Sequence, residues 1–295
     1  MGSTRTDVEF TSEGVTIRAW FYRPDGPNPP VIVMAHGLGG VKTMRLDAFA
    51  ERFCDAGYAC VVFDYRHFGD SDGQPRQLLS IPRQLADYEA AIAYARSRDD
   101  VDASRVVVWG TSFSGGHALV LASKHPELAA AIAQCPFTSG IASTMAINPL
   151  TSAKVTARAL SDVVSSVRGR DPVYIDVAGT ADSVALMTAP DALSGYDALK
   201  KPGVEYPNEV PARIGLAIPF YRPAAKVAAI GIPTLICACD TDTVAPVGPT
   251  LRAASSNPNV QVNHYADGHF AIYVGDAFEN VIADEVDFLD RVVPL

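Results

Sequence analysis

Long uncharged apolar runs are missing from this sequence: none approaches the roughly 18 residues that a membrane-spanning helix needs. The opening MGSTRTDVEF carries neither the basic block nor the apolar block of a secretory signal. Cysteine is scarce and odd in number (Cys54, Cys60, Cys135, Cys237 and Cys239), with no C-x2-C spacing. A disulfide framework and a metal site are therefore not expected, and the thiols read as small buried hydrophobes. Basic residues are in deficit, 24 Lys and Arg against 33 Asp and Glu, for a formal net charge of −9. A negative field repels phosphate backbones and anionic lipid surfaces, so neither nucleic acid nor membrane is an expected partner. These absences leave a soluble, cytoplasmic protein that acts on a small molecule and needs no cofactor. They leave open whether it forms a homo-oligomer.

What is present is a chain of 295 residues, 48% of them apolar. That length suffices to bury about three-quarters of the unfolded chain's surface. Two strands are predicted near 6–11 and 15–23, joined by a turn at Glu13-Gly14. PPVIVMAHG, ACVVFDY (59–65), RVVVWG (105–110) and AAAIAQCPF (129–137) are continuous apolar runs of the kind buried on both faces of a parallel sheet. Between them lie helical patterns at 45–56, 81–98 and 113–126. The second is predicted to bury Leu85, Tyr88, Ile92 and Ala95 on one face. Alternation of this kind makes a mostly parallel α/β sheet covered by helices. It breaks at residue 138 and resumes with PTLICACD (233–240), a helix near 247–256, VQVNHYA (260–266) and a last helix near 276–290. The expected organisation is one core, 1–137 and 231–295, with an inserted cap at 138–230. That insertion shows helical pieces and no comparable buried strand. Its apolar residues, among them Met145, Ile147, Leu150, Phe220 and Tyr221, are expected to divide between cap core and pocket wall.

Chemistry concentrates at strand ends. Gly110-Thr111-Ser112-Phe113-Ser114-Gly115 sits where a buried strand meets a helix, the setting of a strained turn that lifts a serine above the sheet. Ser112 holds the elbow position. Ser114, its competitor, occupies the first helical turn where a second glycine is usual. A serine hydroxyl needs a base. Of the six histidines, His117 and His125 ride the following helix, His67 is placed in a loop that could line a pocket, and His264 lies inside a strand. His269, just past the last strand, can reach the C-terminal edge of the sheet. A carboxylate to orient it comes from Asp240-Thr241-Asp242, where Asp242 at the loop tip is favoured and Asp240 is the alternative. His36-Gly37-Leu38-Gly39-Gly40 follows the first buried strand; the N–H groups of Leu38 and Phe113 are the expected oxyanion donors. An unperturbed imidazole base would lose activity as pH falls through about 6–7.

With these residues in place, the sequence resembles the α/β-hydrolase superfamily everywhere outside 138–230. AHGLGGVKTMRLDAFAERF, FDYRHFGDSDG and WGTSFSGGHAL look like a bacterial branch of serine hydrolases. That branch is similar to the dienelactone hydrolase, acyl-peptidase-like and polyketide transferase groups. The resemblance implies an eight-stranded sheet with a helical cap and a triad on Ser112, Asp242 and His269. It implies cleavage of a carboxylic ester or thioester of a small, largely apolar acyl substrate. An acyltransferase with the same triad is the alternative, and a silent small-molecule binding protein is the alternative of another class. Relatives that use an aspartate nucleophile drop out, because this elbow carries serine.

Overall fold

A computed structural model describes residues 4–204 and 206–295. Residues 1–3 and 205, which fall inside the core and cap ranges drawn above, lie outside the described residues. The chain opens with an antiparallel pair, β1 (Thr4–Ser12) and β2 (Val15–Arg23), in register from Thr4 opposite Arg23 to Ser12 opposite Val15. Then follow β3 (Val31–Ala35), α1 (Leu46–Asp55), β4 (Ala59–Phe63), α2 (Ile81–Arg96), β5 (Val106–Thr111), α3 (Phe113–Lys124) and β6 (Ala130–Gln134). The insertion supplies α4 (Gly140–Ala146), α5 (Pro149–Val167), β7 (Tyr174–Ala178), β8 (Ala185–Met187), α6 (Ala192–Ala198), β9 (Glu209–Pro211) and α7 (Ile214–Ala217). The core resumes with β10 (Thr234–Cys239), α8 (Val247–Ala254), β11 (Val260–Tyr265) and α9 (Gly275–Val292).

Eight strands form one sheet in the order β1-β2-β4-β3-β5-β6-β10-β11. From β4 to β11 every pairing is parallel, while β2 joins antiparallel. The reason is in the runs themselves. Every residue of β3, β4, β5, β6 and β10 is buried, and a strand buried on both faces carries no alternation. Each large apolar side chain so buried contributes about 1.5–3 kcal/mol.

Two sequence expectations shift here. On α2, Tyr88, Ile92 and Ala95 are buried as expected, but Leu85 is only half-buried and Gln84 and Asp87 take the interior instead. Both are polar and both are paired: Gln84 Oε1 meets His117 Nε2 at 3.1 Å, and Asp87 accepts from Arg66 N–H and Nε. The insertion also holds a small sheet, β8-β7-β9, that its pattern did not foretell. Two of its strands are three residues long, too short for any periodicity to register.

The parallel topology gathers the ends of β3, β5, β10 and β11 at one sheet edge. Asp64, just past β4, ties two of the loops there together. Its carboxylate accepts from Lys42 N–H at 2.7 Å, Lys42 Nζ at 2.6 Å and Asp70 N–H at 3.0 Å. Among the described residues no helix is long and apolar enough to cross a membrane.

Candidate active site

Ser112 lies between β5 and α3 with φ 55° and ψ −117°, a conformation that costs a non-glycine residue on the order of 1–3 kcal/mol. Backbone bonds hold it there: Ser112 N–H donates to Gln134 O at 2.9 Å, and Phe137 N–H donates to Ser112 O at 2.8 Å. The turn also needs room. A Cβ on Gly110 would sit 2.1 Å from the Ser114 carbonyl oxygen, and one on Gly37 would sit 2.8 Å from Ser112 Cβ. Ser114 fits in place of the usual glycine because its buried hydroxyl points away from the site and meets Tyr65 Oη at 2.9 Å.

Ser112 Oγ lies 2.9 Å from His269 Nε2, and His269 Nδ1 lies 2.6 Å from Asp242 Oδ2. The bonds assign the tautomer: Nδ1–H donates to the carboxylate, leaving Nε2 to accept from the serine. The other carboxylate oxygen accepts from Val244 N–H at 2.8 Å and Ala245 N–H at 2.7 Å, so the loop after β10 pins Asp242 from two sides. The side chains of His269 and Asp242 are 1% and 2% exposed. Burial works against the imidazolium, but the Asp242 carboxylate, with Cys135 close by, outweighs it and pushes His269 up to about 9.

Asp240, the alternative carboxylate, faces elsewhere: it pairs with the exposed His264 at 2.8 Å. His67 does not reach this site; it is buried, with Nε2 3.4 Å from an Arg83 guanidinium nitrogen. His117 is buried behind Phe113, its Nδ1 2.6 Å from Tyr221 Oη. His125 caps the end of α3 against Glu127.

The glycine-rich loop after β3 is held by His36. Gly37 N–H donates to Nδ1 at 2.7 Å, so Nε2–H donates to the Met44 carbonyl at 2.8 Å. Burial pushes this imidazole down to about 4, which keeps it a neutral strut. Leu38 and Phe113 both border a cavity of about 110 Å³ that Ser112 opens into. Among the described residues neither amide N–H has a hydrogen-bond partner, and the Phe113 amide is at the N-terminus of α3, where the helix dipole favours negative charge.

The insertion forms the other walls. Ile147 and Val155 face the cavity, as do Leu186, Met187 and Ile218, while Phe137 and Val244 come from the core. Among the described residues, none of those lining the cavity is charged. Of the apolar insertion residues singled out above, Met145 and Phe220 are instead 80% and 81% exposed, Leu150 is also exposed, and Tyr221 packs on Phe113 and Phe137. Among the described residues no group of three or more His, Cys, Asp or Glu is arranged to hold a metal ion.

Residues 13–193 match the family model described as X-Pro dipeptidyl-peptidase (S15 family). The chain is 56% identical over 290 residues to the quorum-quenching protein AidA of Acinetobacter baumannii, covering 98% of this chain and 95% of that protein. It is 34% identical over 174 residues to a thiohydrolase of Eupenicillium brefeldianum, 59% of this chain and 54% of that one. Among solved structures, the α/β hydrolase GrgF from Penicillium superposes with a TM-score of 0.86 at 24% identity, over 99% of this chain and all of that one. The fold expected from the sequence, an α/β-hydrolase sheet flanked by helices, is the observed one.

Proposed function

The chain belongs to the family described as X-Pro dipeptidyl-peptidase (S15 family), and on that premise we propose that it is a serine hydrolase cleaving a carboxylic ester or thioester of a neutral, largely apolar acyl group. Ser112 is the nucleophile, His269 the base and then the acid, Asp242 the orienting carboxylate, and residues 138–230 the cap over the acyl site. One observation carries this reading: an unbroken chain of short contacts, 2.9 Å from serine to imidazole and 2.6 Å from imidazole to carboxylate, opens into a cavity without a charged wall.

The steps follow from the contacts. Nε2 takes the Ser112 proton as Oγ attacks the acyl carbon. The developing oxyanion is met by the free N–H groups of Leu38 and Phe113, a type of contact whose single donors are worth about 10²–10³ in rate. The imidazolium, paired with Asp242, then protonates the departing alkoxide or thiolate. Water, deprotonated by His269, releases the acid and restores Ser112. An alcohol or amine in place of that water would give acyl transfer by the same steps.

Esters and thioesters fit this cavity better than the peptides named in the family description. A dipeptidyl substrate brings a free cationic amino group, and among the described residues no acidic side chain lines the cavity to receive it. The likeness to a thiohydrolase supports thioesters as one substrate arm.

The test is intact mass after exposure to a fluorophosphonate probe. One adduct on the wild type and none on Ser112→Ala is the expected result. An adduct that survives in Ser112→Ala, or none on either protein, would overturn the reading.

A further inference from the structure

The cavity beside Ser112 is apolar but not bare of hydroxyls, and their hydrogen bonds sort them. Thr144 Oγ1 donates to the Gly140 carbonyl at 2.7 Å, Thr156 Oγ1 to the Ser152 carbonyl at 2.8 Å, and Thr243 Oγ1 to Asp191 Oδ1 at 2.9 Å. All three border the cavity and all three are satisfied within the protein. Ser143 is different. It lies on α4, is only 9% exposed, and borders the same cavity. Its backbone N–H donates to Ser139 O at 3.1 Å, but among the described residues its hydroxyl has no partner. A serine hydroxyl offers one donor and two acceptor sites, so one left without a protein partner beside an apolar cavity is available to whatever fills it.

We infer that Ser143 is a specificity-determining residue that hydrogen-bonds a neutral oxygen (hydroxyl or keto) on the acyl chain, away from the scissile carbonyl. The substrate class is thus an oxygen-bearing neutral acyl ester or thioester, not a plain fatty acyl group and not a dicarboxylate half-ester. Three observations converge on this. Among the described residues the walls carry no charge, so an ionised chain would be buried unpaired. Most of the wall is apolar, which suits the methylenes. Among the described residues Ser152 and Thr188 also border the cavity with unpartnered hydroxyls but are only half-buried, and the deeply buried unpartnered hydroxyl is that of Ser143. A site that hydrogen-bonds a substrate oxygen discriminates against the analogue lacking it more sharply than an apolar wall discriminates between chain lengths. This inference rests on the acyl-site reading above but concerns recognition, not chemistry.

The experiment measures binding and turnover separately. Methyl octanoate, a series of methyl octanoates with one hydroxyl moved from C3 to C6, and the monomethyl ester of octanedioic acid are titrated against Ser112→Ala by calorimetry. The same esters are then offered to the wild type. At one hydroxyl position the oxygenated ester is expected to bind about tenfold more tightly than the plain one, and the half-ester at least tenfold more weakly. Adding Ser143→Ala should bring the oxygenated-to-plain ratio down to about one to two, with Ser143→Thr retaining part of it. A ratio taken within one preparation does not depend on the folded fraction. A ratio near one at every position in Ser112→Ala, or a preference that survives Ser143→Ala, would overturn the inference. If the binding preference appears while the wild type hydrolyses none of the esters, the inference stands and the hydrolase reading falls.

Discussion

Two serines stand two residues apart at the elbow, and their surroundings divide the work between them. Ser112 faces His269 across 2.9 Å, whereas Ser114 is buried against Tyr65. Ser112→Ala is expected to lower turnover on the order of 10⁴-fold without changing thermal stability. Ser114→Ala should keep most of the turnover and lose about 1 kcal/mol of stability, the net value of one hydrogen bond. Kinetics and melting on the two variants in parallel check both. The proposed base, His269, makes a second prediction. Because the negative charge of the Asp242 carboxylate outweighs burial and pushes His269 up to about 9, the rising limb of the pH–rate profile should lie well above the 6–7 of an ordinary imidazole. Activity should still be climbing between pH 7 and 9. A plateau reached by pH 7 would show that the imidazolium is not held as the contacts imply.

Elements carry the site only where loops are held, and the Asp64–Lys42 pair holds two of them. Both side chains are nearly inaccessible, at 1% and 2%. Asp64→Ala would leave the buried Lys42 ammonium with only the exposed Asp70 carboxylate as partner and release the segment after β3 that presents Leu38. We expect a loss of about 3–5 kcal/mol in denaturant unfolding. At this scale the sequence was highly legible in the core. The apolar runs and helical patterns match β3 to β6, β10, α1 to α3, α8 and α9 to within a few residues, because each element buries a continuous or periodic set of its own side chains. Legibility failed in the insertion. Residues Ala185–Met187 and Glu209–Pro211 become strands through pairing with β7 alone, and local pattern has no signal for that.

The whole molecule closes with α9 against the sheet, and a buried carboxyl sits in that seam. Trp109 Nε1–H donates to Glu285 Oε2 at 3.0 Å, and Cys237 Sγ lies 3.5 Å from Oε1. Burial pushes Glu285 up to about 8, so the folded protein keeps a proton that the unfolded chain releases near its ordinary value of 4.5. The stability this contributes is fully present below about 4.5 and is lost as pH rises through 8, at about 1.4 kcal/mol per unit within that window. His269 adds a loss of the same sign between about 6.5 and 9. Glu285→Gln, neutral at every pH, should therefore gain stability relative to wild type between pH 5 and 8. Melting temperatures of the two proteins across that range decide it: a constant difference would mean that Glu285 is already ionised in the fold.

Sequence by itself determined the sheet, the elbow and the order of serine, aspartate and histidine along the chain. These depend on burial along a strand and on glycine at a strand-to-helix turn, which are local properties. Only the tertiary structure decided that Asp242 and not Asp240 meets His269. Two carboxylates one residue apart in one loop are alike to any pattern, and what separates them is the path of that loop: Val244 and Ala245 turn Asp242 inward, while β11 brings His264 to Asp240. The same holds for the cavity beside Ser112. Ser143 looks like any helical serine until α4 lies over Ser112, and Met145 and Phe220, apolar enough to line a pocket, face solvent instead. Which face of a short helix is covered depends on what packs beside it, and in the insertion those neighbours are distant in sequence.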